Sequence, residues 1–230
     1  MTDSHISITD KIVMIFTFGW SPEFVIRPLL RDGVSENNTL VLISAKPVSE
    51  LAKKRVSEAL EEIKRFLTMS GIRKYDYFEI DVNRDFEEIV RDFARIVNKF
   101  KPASKFKFYL TGGMRVLVVA GLIVAGLMSQ LNDVNVVLSQ EDSPILYKVS
   151  PKYLSIDLGQ VTEARLEVLK MLKGIGEATF EDLAVGRDEV TVRKHLTKLR
   201  EIGLVNFYKR GRKQVYKLTP LGYTVLELIG

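Results

Sequence analysis

The sequence predicts an α/β protein, in which a Rossmann-like, mostly parallel sheet is followed by a carboxy-terminal unit with the element order of a winged helix-turn-helix. Three observations point there. Over the first 140 residues, short β-branched or aromatic runs alternate with helical hydrophobic patterns, and that alternation builds crossovers and hence a parallel sheet covered on both faces. After Ser139 the alternation stops, and Gly159-Gln160-Val161 precedes a helix-rich stretch with a new pattern. The charge surplus also sits at one end. Residues 161–230 hold 13 Lys/Arg against 9 Asp/Glu, and Arg187–Lys217 holds 10 against 3.

Strands are expected at Lys11–Phe18, Thr39–Ser44, Tyr75–Val82, Phe106–Leu110 and Val134–Leu138, each a short run of the residue types that pack on a pleated, buried surface. Helices are expected between them. Val48–Ser70 places Leu51, Val56, Leu60, Ile63 and Leu67 on one face, Arg84–Phe100 does so with Phe86, Ile89, Val90, Phe93 and Val97, and Met114–Leu131 is almost wholly apolar. Ile145–Val149 and Tyr153–Leu158, separated by Ser150-Pro151-Lys152, suggest a hairpin that finishes the sheet or leads out of it. The domains read as 1–142 for the Rossmann-like unit, 143–160 for the hairpin or linker, and 161–230 for the winged unit. In the last, helices Thr162–Lys173, Phe180–Val185 and Glu189–Ile202 precede strands Leu204–Lys209 and Gln214–Leu218 and a final helix Pro220–Ile229.

Composition narrows the chemistry. With 46% hydrophobic and 27% charged residues the chain is too apolar to be disordered. Zero cysteines exclude disulfides, thiolate metal sites and thiol nucleophiles, and two histidines leave little for a histidine-rich metal centre. A catalytic metal would have to be carboxylate-bound, and no metal site and no catalytic residue is assigned. The longest apolar run, Val116–Met128, has 13 residues, short of the roughly 20 that cross a bilayer, so no membrane partner is expected. The amino terminus lacks the basic start and apolar stretch of a signal peptide, which makes a cytoplasmic setting the expectation.

Two turns are candidates for a ligand site, because parallel sheets bind ligands beyond the carboxyl ends of their strands and helix amino termini favour anions. The first strand ends in Thr17-Phe18-Gly19-Trp20, followed by Ser21 and Pro22, which suit a helix start. The fourth ends in Thr111-Gly112-Gly113-Met114-Arg115, where two glycines and an arginine would cradle phosphate. Ser44 and Lys46, after the second strand, complete the set. No Gly-x-Gly-x-x-Gly or P-loop pattern occurs, which disfavours NAD or ATP by the familiar routes.

In the carboxy-terminal unit, Val192, Leu196, Leu199 and Ile202 form an apolar stripe, leaving Thr191, Arg193, Lys194, Thr197, Lys198 and Arg200 to point elsewhere. Lys209-Arg210-Gly211-Arg212-Lys213 places cations on a hairpin tip. Thr191, Arg193, Lys194, Thr197 and Lys198 on the helix and Lys209, Arg210, Arg212 and Lys213 on the wing are the candidate contacts to double-stranded DNA.

These motifs together resemble a known family. The Thr-Gly-Gly-Met-Arg turn after a late strand, the first-strand turn with Trp20 and Pro22, and the fused winged helix look like the CRISPR-associated Rossmann-fold (CARF) transcriptional regulators of archaeal type I-A systems, over essentially the whole chain. The resemblance implies a homodimer that senses a cyclic oligoadenylate, first of all cyclic tetra-adenylate, as a regulatory ligand rather than a cofactor, and binds promoters of CRISPR genes in antiviral defence. The apolar Met114–Leu131 helix supports a dimer independently, since one side facing a sheet cannot cover it, and Gly121, Ala125 and Gly126 would permit close approach of a twofold mate. The alternative is a ring nuclease that cleaves the cyclic oligoadenylate, recruiting Arg115, Lys46 and Ser44. A third reading gives the winged unit a protein partner.

Overall fold

The computed structural model describes residues 12–35, 38–72, 74–101, 103, 105–139, 143, 145–154 and 157–230. Lys11, expected to open the first strand, lies outside them, as do parts of the segment read as a linker. The chain divides into two compact units between residues 155 and 156.

The first unit is a six-stranded sheet in the order β3-β2-β1-β4-β5-β6. Its strands are β1 (Ile12–Phe18), β2 (Thr39–Ala45), β3 (Tyr75–Ile80), β4 (Lys105–Tyr109), β5 (Asp133–Ser139) and β6 (Leu146–Val149). All neighbours pair in parallel except β5 and β6. Helices α1 (Glu23–Asp32) and α2 (Glu50–Met69) cover one face, while α3 (Phe86–Asn98) and α4 (Arg115–Met128) cover the other. The central strands are apolar on both sides for that reason. Val13, Ile15, Val41 and Ile43 meet Ile89, Phe93 and Leu117 of α3 and α4, whereas Met14, Phe16, Leu40 and Leu42 meet Val25, Leu29, Ile63 and Leu67 of α1 and α2. Ser49 caps α2 by accepting the Ala52 N–H at 3.1 Å.

Among the described residues, the hairpin expected over 145–158 does not form. β6 pairs antiparallel with β5, Val136 opposite Val149, and the chain then enters a 3-10 turn at Pro151–Leu154. Leu154, which the expected hairpin would place in its second strand, instead packs on α4, where a Cβ at Gly126 would lie 2.9 Å from it. Gly121 is likewise filled, by Leu110 and Phe93. The small residues of α4 therefore serve packing within this unit and are not open to a second chain. The exposed side of α4 carries Arg115, Val119 and Leu127 instead.

A charged cluster is set under α1. Asp32 pairs with Lys107, and Tyr109 donates to its carboxylate at 2.7 Å; the Tyr109 ring, wholly buried, stacks on Phe16 at 4.3 Å. Burial alone would raise the Asp32 pKa, but hydrogen bonds from Lys107, Tyr109 and Arg31 outweigh it and hold the carboxyl at about 2. Burial and the same carboxylate push the Tyr109 phenol upward.

The second unit comprises α5 (Glu163–Ile175), β7 (Glu177–Thr179), α6 (Phe180–Ala184), α7 (Glu189–Glu201), β8 (Val205–Arg210), β9 (Lys213–Leu218) and α8 (Pro220–Ile229). Its sheet runs β7-β9-β8, antiparallel throughout. Caps set the helix starts: Thr179 and Asp182 form a capping box for α6, Asp188 accepts the Thr191 N–H at 2.8 Å, and Thr219 accepts the Gly222 N–H at 3.0 Å ahead of α8. Strand β7 is absent from the sequence reading, because three residues after a Gly-Ile-Gly break carry no period of their own.

The Asp32 pKa lies below the unfolded value of 3.8, so the stabilisation it brings is complete above that value and fades as pH falls toward 2. Its size is roughly 2 kcal/mol. Trp20 is the one tryptophan and reports on the first unit. Urea unfolding followed by its fluorescence should show Asp32→Asn destabilised near pH 6, with the gap to wild type closing by pH 2; a gap independent of pH would contradict the assignment.

Candidate functional site

The sheet order reverses direction between β1 and β4, and the turns that follow these two strands diverge to opposite faces. A crevice opens at such a point because no helix bridges the gap between the two turns. Here the turns touch. A Cβ on Gly19 would stand 3.2 Å from Gly113 Cα, and one on Gly113, whose φ is 92°, would stand 2.9 Å from the Phe18 carbonyl oxygen. Backbone lies on backbone: Gly113 leaves no room for a side chain, and one on Gly19 would require Gly113 to give by a few tenths of an ångström. Gly112 is held equally closely against Phe24 of α1, at 2.9 Å from a would-be Cβ.

Above this junction lies a cavity of about 430 Å³. The β1–α1 turn contributes Phe18, Gly19, Trp20 and Ser21, the β2–α2 loop contributes Ala45, Lys46, Pro47 and Val48, and the β4–α4 turn contributes Gly113 and Met114. Phe24, Ala52, Val56, Val82 and Asn83 close the rest. The wall is mainly hydrocarbon and aromatic surface, with Lys46 its one cation among the described residues. The Arg55 guanidinium lies over the Trp20 ring at 4.9 Å, while the indole remains 59% exposed. Asp81 accepts the Asn83 N–H at 3.0 Å, which fixes the loop bringing Asn83 to the wall and lowers the Asp81 pKa. Flat, apolar walls with a cation beside an indole suit a heteroaromatic ring.

Of the eleven ligand residues expected from sequence, Phe18, Gly19, Trp20, Lys46, Gly113 and Met114 line this cavity. The others do not. Thr111 is tied into the frame, donating to the Phe24 carbonyl at 2.6 Å while its own carbonyl accepts from Ser139 at 2.8 Å. Ser44 is fully buried and shares a 2.8 Å hydrogen bond with Tyr77, which donates to Glu79 at 2.7 Å. Burial pushes that phenol up to about 12. Thr17 is buried beneath the site with its hydroxyl unpartnered, and Gly112 is packed on Phe24. Arg115 sits exposed on the first turn of α4, outside the lining. Ser44, Lys46 and Arg115 are thus not gathered as a cleavage centre would require. Pro47, Val48 and Asn83 escaped sequence reading. The carboxyl-edge rule could have found the first two beside Lys46, but Asn83 needs the strand order.

In the second unit, Val192, Leu196 and Leu199 are buried and the opposite face of α7 is solvent. Lys194 and Thr197 are exposed there. Arg193 is drawn aside onto the Phe180 ring at 4.4 Å, and Lys198 onto Glu201 at 3.1 Å. Thr191 is exposed at the edge of the first turn. Arg210 and Lys213 close the hairpin, leaving Gly211 (φ 62°) and Arg212 as its tip. Arg210 is bound at 2.6 Å by Glu177, while Lys209, Arg212 and Lys213 remain exposed. His195 faces inward, where burial and Arg165 lower its pKa.

Comparison with known proteins gives two family matches. Residues 12–150 match the Csa3 CRISPR-associated Rossmann-like domain, and residues 160–219 match a family designated HVO_A0114. A CRISPR locus-related protein Csa3 of Thermoproteus tenax, whose name proposes DNA binding, is 30% identical over 122 residues, 52% of this chain and 56% of that one. The chain thus spans little more than half the length of that relative. Among solved structures, Enterococcus italicus Csm6 bound to cyclic hexa-2'-fluoro-hexa-dAMP aligns over 84% of this chain and 55% of its own, at 11% identity and a TM-score of 0.47. Bordetella bronchiseptica BpsR, from work on regulation of its DNA binding by 6-hydroxynicotinic acid, aligns over 34% and 59%, at 26% identity and a TM-score of 0.30. Both likenesses are too partial to bear on what the chain does. No helix among the described residues is long and apolar enough to cross a membrane.

The approach of Gly19 to Gly113 has a measurable cost if crowded. Gly113→Ala adds both a positive-φ penalty and a clash, whereas Gly71→Ala, at φ 75° with nothing near its Cβ, adds the penalty alone. The former should lose roughly 2–4 kcal/mol and the latter about 1, read by urea unfolding through Trp20. Equal losses would mean that the turns do not touch.

Proposed function

Because the chain belongs to the Csa3 family of CRISPR-associated Rossmann-like domains, matched over residues 12–150, we propose that it is a dimeric, ligand-responsive DNA-binding regulator of CRISPR genes, of the archaeal type I-A kind and acting in the cytoplasm. One observation carries this reading: a single chain holds an apolar cavity at the carboxyl edge of its first sheet and, in a separate unit, a cation-bearing helix face beside a cationic hairpin tip.

The ligand is a cyclic oligoadenylate, cyclic tetra-adenylate in the first instance. Adenine rings suit the Trp20 and Met114 walls, Lys46 suits a phosphate, and Arg115, exposed at the amino terminus of α4, would meet the phosphate ring from the rim. The homodimer is supported by the exposed side of α4, where Val119 and Leu127 stand 46% and 61% exposed; pairing there would bring two Thr111–Arg115 turns around one symmetric ligand. In the second unit, α6 and α7 read as a helix-turn-helix and β8–β9 as its wing, with Lys194 and Thr197 toward double-stranded DNA and Lys209, Arg212 and Lys213 toward phosphates. Arg193, Lys198, Thr191 and Arg210 are secondary, since three of them have partners already. Cleavage of the ligand has less support, as Ser44 is engaged and Arg115 lies apart from Lys46.

Calorimetry with cyclic and linear tetra-adenylate tests the ligand site. Trp20→Ala and Arg115→Ala, both at exposed positions, should keep the fold and weaken cyclic tetra-adenylate at least tenfold, an effect of the size of one charge-assisted hydrogen bond. Undiminished affinity in both variants would remove the site assignment.

The wing is tested separately. Alanine at Lys209, Arg212 and Lys213 should weaken all duplexes alike and flatten the slope of log affinity against log salt by about 2 to 3, close to 0.9 for each phosphate no longer neutralised. An unchanged slope would show that the wing does not touch the backbone.

A further inference from the structure

An α-helix advances 100° per residue, so the side of α7 directly opposite buried Val192, Leu196 and Leu199 is occupied by Val190, Lys194, Thr197 and Glu201. Three of these are polar or charged. Val190 is not, and it stands 59% exposed in the first turn with no role in the core. A β-branched residue there slightly lowers helix propensity. Its surroundings are informative. Asp188 caps the helix and Glu189 follows it, so this end of α7 is acidic and unsuited to a phosphate. The cations lie further along, at Lys194, and on the hairpin.

On the DNA-binding reading above, the first turn of a recognition helix meets base edges rather than backbone. The major groove offers one apolar feature to such a residue, the C5 methyl of thymine. We propose that Val190 reads a thymine methyl, so that each half-site bound by the protein carries a thymine where the first turn of α7 enters the groove. This rests on the DNA-binding reading, yet it can fail alone.

The test uses duplexes retained by the full-length chain from a random-sequence pool, resynthesised with deoxyuridine in place of thymine, first throughout and then one position at a time. That exchange removes only the methyl. Wild type should bind the deoxyuridine duplex roughly three- to tenfold more weakly, the worth of one or two buried methyls, with the loss traced to one thymine per half-site. Val190→Ala, which favours the helix and should fold, should bind thymine duplexes more weakly by a similar factor and no longer distinguish deoxyuridine. Equal affinity of wild type for both duplexes, or a full difference persisting in Val190→Ala, overturns thymine reading and leaves DNA binding standing. A pool from which no duplex is retained overturns both.

Discussion

At the carboxyl edge of the six-stranded sheet the turn after β1 lies on the turn after β4, backbone against backbone, with Gly113 held at φ 92° and without room for a side chain. Strand order forces the meeting: β1 and β4 are neighbours whose following helices leave for opposite faces. Were Gly113 larger, the strands would have to separate or the helices tilt, and the cavity above would lose its floor. Thr111 and Ser139 bind the same turn to α1 and β5 through main-chain carbonyls. A rigid frame therefore presents an apolar opening, and Thr111 and Ser139, which bind the frame together, are not among the residues that line it.

The sequence made the frame legible because its strands are buried on both faces and read as unbroken apolar runs, while α2 and α3 show a helical period strong enough to identify alone. It was less informative where short-range pattern and long-range packing compete. The arm Tyr153–Leu158 looked like a strand, but its neighbour β6 already had a partner in β5 and Leu154 had a seat at Gly126. The small residues of α4 looked like an open interface for the same reason: only the fold shows that Leu110, Phe93 and Leu154 fill them.

The candidate site was half legible. Glycines at helix starts mark a turn in any parallel sheet, so Gly19 and Gly113 could be chosen without coordinates. Direction could not. Ser44 and Thr111 stand within three residues of Lys46 and Met114 yet point into the frame, a distinction set by the partner each hydroxyl finds, Tyr77 for one and the Phe24 carbonyl for the other. The DNA-facing candidates show the complementary limit, since a charge count treats Arg193 and Lys194 alike although Phe180 holds one of them.

Two units with separate cores can act as a regulator only if ligand in one alters affinity in the other, a coupling free energy that acts equally in both directions. Titrating a duplex retained from a random pool with the full-length chain, at zero and at saturating cyclic tetra-adenylate, measures it directly. A ligand-responsive regulator should show DNA dissociation constants that differ by roughly fivefold or more, and the same factor when nucleotide affinity is measured with and without DNA. Superimposed DNA curves, with nucleotide binding verified in the same sample, would leave two independent binding modules and contradict a ligand-responsive regulator.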